Sequence, residues 1–362
     1  MPDNDSTEQR LSDFYHRSRV AMSGPVPRWD PVTGTTVKQG WGRELMIAGA
    51  AAVFILAVVG GARFLRQSQS PAAGPKPTPA PSAFTGSCKL PLTWADPSSG
   101  HMTGGFVSFP GASFATDPSV SGLNTPFGAG WVSYDAPMRR WVPVDRQMVS
   151  PDGATWVYSA LRTGNENHAV DVRTGRDTTL WGSDRVFHVF GLENTFAYAM
   201  LDSTGVPQLW RLPLDGSPAT QIRVGGNWQF VNGGAAWEIG SDSLAAGAPF
   251  SLQRLDLQHN TVTTWLQLPG PGTVVGFDGR GAPIVQVGGP GGDVIVVTSQ
   301  GAQRLLAKSF YFVKGTIGID HLPALGDAHG IWLAAQDGIY LSVNGGVPSK
   351  QSFPALLAGP CS

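Results

Sequence analysis

Through the second half of the chain, apolar and polar residues alternate in short runs that come in pairs, each pair split by a polar or glycine turn. Five such pairs are His168–Trp181, Gln208–Ile222, Ser251–Trp265, Val294–Leu306 and Gly338–Gln351. A period of two is the pattern of a strand with one buried face. The turns at Thr174-Gly175, Asp215-Gly216, His259-Asn260, Gln300-Gly301 and Asn344-Gly345 supply residues that tolerate positive φ, so each pair reads as a β-hairpin. Successive turns lie 41, 44, 41 and 44 residues apart. A hairpin that returns at this interval predicts a β-propeller, in which each repeat supplies one four-stranded blade.

A further apolar run precedes each hairpin: Ala154–Ala160, Thr195–Leu201, Gly234–Ile239, Ala282–Val287 and Gly330–Ala335. These runs are rich in β-branched and aromatic residues and predict the second strand of each blade. A more divergent unit lies upstream, with Phe106–Phe109, Ala112–Thr116 and a hairpin over Gly130–Val144 turning near Pro137-Met138. The expectation is an all-β, six-bladed propeller with blades near 104–143, 144–183, 184–225, 226–270, 271–309 and 310–350; seven blades is the alternative. The flanking pieces Cys88–Trp94 and Ser352–Cys361 are left over and can complete the ring together.

Several of these stretches resemble the TolB-like, WD-repeat-like propeller repeat. Ser150-Pro151-Asp152-Gly153 before the apolar strand Ala154–Tyr158 looks like the opening of that repeat, and Asp171-Val172-Arg173-Thr174-Gly175 looks like its hairpin. Leu209-Trp210-Arg211-Leu212-Pro213-Leu214-Asp215-Gly216 is a second match of the hairpin. Only one repeat keeps the full Ser-Pro-Asp-Gly signature; the corresponding positions elsewhere are Leu192-Glu193-Asn194, Val231-Asn232-Gly233-Gly234 and Phe277-Asp278-Gly279-Arg280-Gly281. The resemblance implies the propeller and no particular activity, because such folds host many functions.

The first quarter of the chain reads differently. Leu45 to Ala62 is an uncharged apolar run closed by Arg43 and Glu44 on one side and by Arg63 and Arg66 on the other. As a helix it is roughly 27 Å long, close to the hydrocarbon thickness of a bilayer. Its length and its position after a 44-residue lead favour an uncleaved transmembrane helix over a signal peptide. Residues 1–44 are expected to form a mostly disordered cytoplasmic tail. Residues 63–87 make a Pro/Ala-rich linker of the stiff, extended kind, and residues 88–362 form the propeller domain. The basic residues on either side nearly balance, so orientation rests on the stalk and on the cysteines.

The chain has two cysteines, Cys88 at the end of the linker and Cys361, next to last. They bracket the repeats, and a disulfide between them would latch the first strand of the ring to the last. Such a bond closes a very long loop, for which chain entropy gives at most roughly 5 kcal/mol. It also implies an oxidising compartment. The expected placement is therefore the plasma membrane, single-pass, with the N-terminus cytoplasmic and the propeller extracytoplasmic.

Composition removes some function classes and names none. The net charge is −1, with no basic stripe, so no nucleic acid partner is expected. No Gly-x-Ser-x-Gly elbow occurs, and Gly288-Gly289-Pro290-Gly291-Gly292 lacks the Lys-Ser/Thr of a phosphate loop and leads into a strand. The densest polar group is Asp320-His321 with Asp327-Ala328-His329, read as loop solvation and capping ahead of a metal or general-base site. His188 reads as an interior or channel residue. Trp156, Trp181, Trp210, Trp237, Trp265 and Trp332 fall on strands and read as packing between blades. No catalytic residue, cofactor or metal is expected. The sequence reads as a membrane-anchored, non-enzymatic binding module for an envelope protein, peptide or polymer. The alternatives are a channel-mouth enzyme of lyase, lactonase or glycosidase type, and a sensor signalling through the cytoplasmic tail.

Overall fold

All five turns read from the alternation are hairpins in the computed structural model of the protein. Each places a residue at positive φ where the chain reverses: Gly175 at 70°, Gly216 at 82°, Asn260 at 52°, Gly301 at 73° and Gly345 at 74°. The structure describes residues 84–95, 102–121, 123, 131–160, 166–182, 187–201, 205–241, 249–313 and 321–362. The tail 1–44, the apolar run 45–62 and most of the linker lie outside them. Among the described residues no helix is long and apolar enough to cross a membrane.

The strands form six blades. Four of them run in sequence order from the channel outward. Blade three is Phe187–Leu192, Phe196–Leu201, Gln208–Pro213 and Thr220–Val224; blade four is Phe230–Asn232, Ala235–Ser241, Phe250–Asp256 and Thr261–Leu268. Blade five is Gly272–Phe277, Pro283–Val287, Asp293–Ser299 and Ala302–Ala307; blade six is Ala324–Asp327, Gly330–Ala335, Gly338–Ser342 and Ser349–Ser352. Blade two has three strands, Thr155–Ala160, Glu166–Asp171 and Asp177–Gly182, with Val149 bridging Trp156 where a fourth would run. The core lies between blades, where Val274, Val285 and Val297 meet Trp237 and Leu252. Gly276 is needed at the channel wall: a Cβ there would collide with the Ala324 carbonyl of blade six.

Blade one departs from the sequence reading. It comprises Cys88–Ala95, Met102–Phe109 and Ser113–Thr116, and its innermost strand is Leu356–Leu357 from the far end of the chain. Leu92 pairs with Leu357 and Thr93 with Leu356, and beyond them Ser362 exchanges backbone hydrogen bonds with Lys89. The hairpin expected to complete a blade over 104–143 instead stands apart, as the strands Ser133–Asp135 and Arg140–Val142. It is wedged between blades one and two. Trp141 and Tyr134 pack on Phe106 of blade one, while Arg140 Nη1 donates to the Val172 carbonyl of blade two. The two leftover pieces thus join Met102–Phe109 and Ser113–Thr116 in one blade, and only the hairpin of the unit read over 104–143 is an insertion.

The seam between the chain ends is covalent. Cys88 and Cys361 form a disulfide across a sequence separation of 273, with their Cα atoms 5.5 Å apart. Around it Phe84, Phe109 and Trp332 make edge-on and tilted ring contacts at 5.4 to 5.8 Å. Phe84, assigned to the linker by composition, therefore packs with the propeller.

Candidate functional site

The innermost strands surround a channel, and one end of it opens into a cavity of about 310 Å³. The opening lies where these strands turn outward, so its wall takes residues from every blade: Val149, Leu192, Phe230, Phe277, Leu325 and Pro360. The faces of each blade pack on its neighbours, so it is the free edge and the ends of each innermost strand that meet the axis. The inserted hairpin adds Tyr134 and Asp135 to the rim.

Between the hairpin and blade two the chain makes a single 3-10 turn, Arg146–Met148, capped by Asp145, whose side chain accepts from the Gln147 N–H at 3.1 Å. This turn carries Arg146 into the cavity. The guanidinium makes no hydrogen bond or ion pair among the described residues, and its partial exposure is to the cavity it lines. Burial pushes its pKa down from the ordinary arginine value, and the nearby Asp145 charge only partly offsets that. Asp135 has a matching defect. Its Oδ1 accepts from Met138 N–H at 3.3 Å, while its buried Oδ2 has no partner. Burial pushes its pKa up, opposed by the Met138 N–H and by Arg140.

Of the group Asp320, His321, Asp327 and His329, the three described members do not come together. His321 is buried and its Nδ1 lies 2.6 Å from Asp145 Oδ2, a partner 176 residues away. Trp131 stacks on its ring at 4.7 Å, and Nε2 is buried without a partner. Asp327 instead serves the seam: Oδ1 accepts from His329 N–H, and Oδ2 from Trp332 Nε1 and Cys361 N–H at 2.8 and 2.9 Å. The His329 ring meets Phe84 edge-on at 5.3 Å. Asp320 lies outside the described residues. Among those described, no three His, Cys, Asp or Glu side chains gather as a metal site would require.

His188 is half-buried on the innermost strand of blade three, opposite Met200. All six tryptophans read as strand residues are on strands. Trp237 and Trp265 pack edge-on within blade four, with Arg254 over both rings and Phe277 of blade five beyond.

Arg146, Asp135 and Asp145 are the residues the sequence reading missed. The one signal for them is the polar stretch Val144-Asp145-Arg146-Gln147 between a predicted hairpin and the Ser-Pro-Asp-Gly turn.

No protein-family model matches the chain, and no curated protein is similar to it. Several solved structures are. TolB from Acinetobacter baumannii is 14% identical over 77% of this chain and 67% of that one, with a TM-score of 0.38. An oligogalacturonate lyase in complex with manganese is 11% identical over 75% and 86%, with a TM-score of 0.42. A gluconolactonase from Xanthomonas campestris is 14% identical over 78% and 89%, with a TM-score of 0.38. At such identities and scores the similarity carries no activity over to this chain.

Proposed function

We propose that this protein is a membrane-anchored binding module whose channel mouth takes a protein, peptide or envelope polymer without chemically changing it. The carrying observation is the mouth itself: a cavity bounded by all six blades that holds an arginine with no partner of its own. A half-buried charge with no partner among the described residues is held at some cost, and binding a group of opposite sign recovers it. The apolar run 45–62 and the Pro-rich stretch after it would tether the ring and hold it off the bilayer surface. The disulfide supports the extracytoplasmic side, since such bonds persist in oxidising compartments.

The test is a cross-linking capture from intact cells with the full-length chain as bait, beside an Asn232→Trp variant, which fills the mouth that Asn232 lines. One dominant envelope partner recovered by the parent and lost in the variant is the expected result. Recovery of no specific partner, or of the same partner by both, would remove the reading. Labelling of the propeller by a membrane-impermeant reagent on whole cells checks the orientation.

One observation favours the enzyme alternative: Asp145 orients His321 and leaves Nε2 free, as a carboxylate does for a general base. Turnover of a lactone or glycan panel that is abolished by His321→Gln would establish it.

A further inference from the structure

The mouth is lined by groups that together describe one kind of guest. Its wall mixes polar groups with the apolar side chains Leu192, Phe230, Phe277, Leu322 and Leu325, which form a collar behind them. Arg146 is the sole cation among the described residues that line it. A single guanidinium matches a carboxylate, which it can hold through two parallel hydrogen bonds; a phosphate group or a polyanion calls for more than one cation. Asp135 Oδ2 is sealed from the cavity, so this acid offers the guest no acceptor. The remaining acid on the rim, Asp278, is already committed, because its Oδ1 accepts the Arg280 and Ala282 N–H groups at 2.9 and 2.8 Å. A volume near 310 Å³ is at the small end of ligand cavities, so the mouth admits a chain tip and not a folded surface.

We infer that the mouth captures the carboxyl-terminal end of a peptide chain whose last residue is apolar. Arg146 holds the terminal carboxylate, and the apolar part of the wall takes the last side chain. This rests on the reading of the mouth as a binding site and names its partner class. It also explains why an unpaired arginine persists where an apolar residue would pack at less cost. An internal acidic side chain offers a carboxylate too, but it arrives with two chain directions that a closed collar would have to pass.

The experiment offers the full-length chain two random-sequence peptide pools ending in Leu or Phe, identical except that one carries a free terminal carboxylate and the other an amide. Retention is read by mass spectrometry for the parent and for Arg146→Met. The parent should retain the acid pool over the amide pool by roughly 10- to 100-fold, the worth of charge-assisted hydrogen bonds. Arg146→Met should abolish that preference and yet melt at a higher temperature than the parent, which a merely structural arginine would not do. Equal retention of the two pools, retention of neither, an acid preference that survives Arg146→Met, or a lower melting temperature in the variant would each overturn the inference. If the pools fail while the cellular capture still finds a partner lost in Asn232→Trp, the binding reading stands and only the terminal carboxylate falls. If the capture fails too, both fall.

Discussion

The seam where the chain ends meet and the mouth of the channel are both places where polar groups are buried beside aromatic rings, and they are treated in opposite ways. At the seam every acceptor is used. Asp327 takes three N–H groups, one of them from Cys361, next to a disulfide and under Phe84, Phe109 and Trp332. At the mouth Arg146 has no partner and Asp135 uses one oxygen of two. A fold that satisfies a carboxylate three times over at one site could have done so at the other. The contrast teaches that the seam is built for stability alone, whereas the mouth keeps unpaired polarity of the kind that functional sites carry at a cost in stability.

The largest effect should come from breaking the seam. Replacing both cysteines, as Cys88→Ala with Cys361→Ala, frees two chain ends that otherwise share a blade. Equilibrium unfolding in denaturant should show a loss of about 2–5 kcal/mol. Because Leu356–Leu357 is only two residues long, its pairing with Leu92 and Thr93 is weak without that bond. A double variant as stable as the parent would mean that side-chain packing, not the covalent latch, holds the ring closed.

Next comes Asp327→Ala, which leaves the Trp332 indole and the Cys361 amide without an acceptor in a buried place. The expected loss is about 2–3 kcal/mol by the same measurement, with the disulfide still formed. Asp327→Asn keeps an acceptor oxygen and should lose less. If the two substitutions cost the same, the carboxylate's charge matters and the number of hydrogen bonds does not.

At the mouth the sign reverses. Arg146→Met exchanges a half-buried charge, unpaired among the described residues, for an apolar side chain of similar length and should stabilise the fold by about 1 kcal/mol. Thermal and denaturant unfolding both report it. Destabilisation would place Arg146 in the same class as Asp327 and erase the contrast.

Much of the ring was legible from residue order alone. Period-two alternation and turn residues are local signals, and blades two to six follow them because a hairpin is stabilised by its own neighbours. The second strands fall where apolar runs precede the hairpins, as in Phe196–Leu201 and Gly330–Ala335. Blade one was legible in part. The flanking pieces Cys88–Trp94 and Ser352–Cys361 do close the ring together, but the innermost strand is a two-residue segment some 260 residues away along the chain. It is too short to show any period, so the sequence reading puts the blade at 104–143 instead. The hairpin Ser133–Val142 carries the same local signal as a blade hairpin, and only its packing against Phe106 and Val172 shows that it is a wedge. The site was legible least. Asp145 and His321 meet across the ring, and Arg146 reaches the cavity on a single 3-10 turn that no periodicity announces. Ring closure brings such residues together, and closure is a property of the whole repeat array.

The smallest effect is the pH dependence, and here too the two kinds of site have opposite sign. Outside the mouth, the turn aspartates Asp171, Asp215 and Asp256 have pKa values lowered chiefly by backbone N–H groups of their own turns. A lowered folded-state pKa gives stability that is present above the ordinary aspartate value and is lost as pH falls through the folded one. Asp135 is raised by burial, so its contribution is present below the ordinary value and is lost as pH rises through the raised one. Stability of the parent should therefore climb steeply as the turn acids ionise and then sag slightly as Asp135 does. In Asp135→Asn the climb should persist and the sag should flatten, whereas Asp171→Asn should shallow the climb and leave the sag. Denaturant midpoints taken from pH 3 to pH 7 for the three proteins separate these outcomes. A sag unchanged in Asp135→Asn would assign it to another buried acid, Glu238, whose pKa burial also raises.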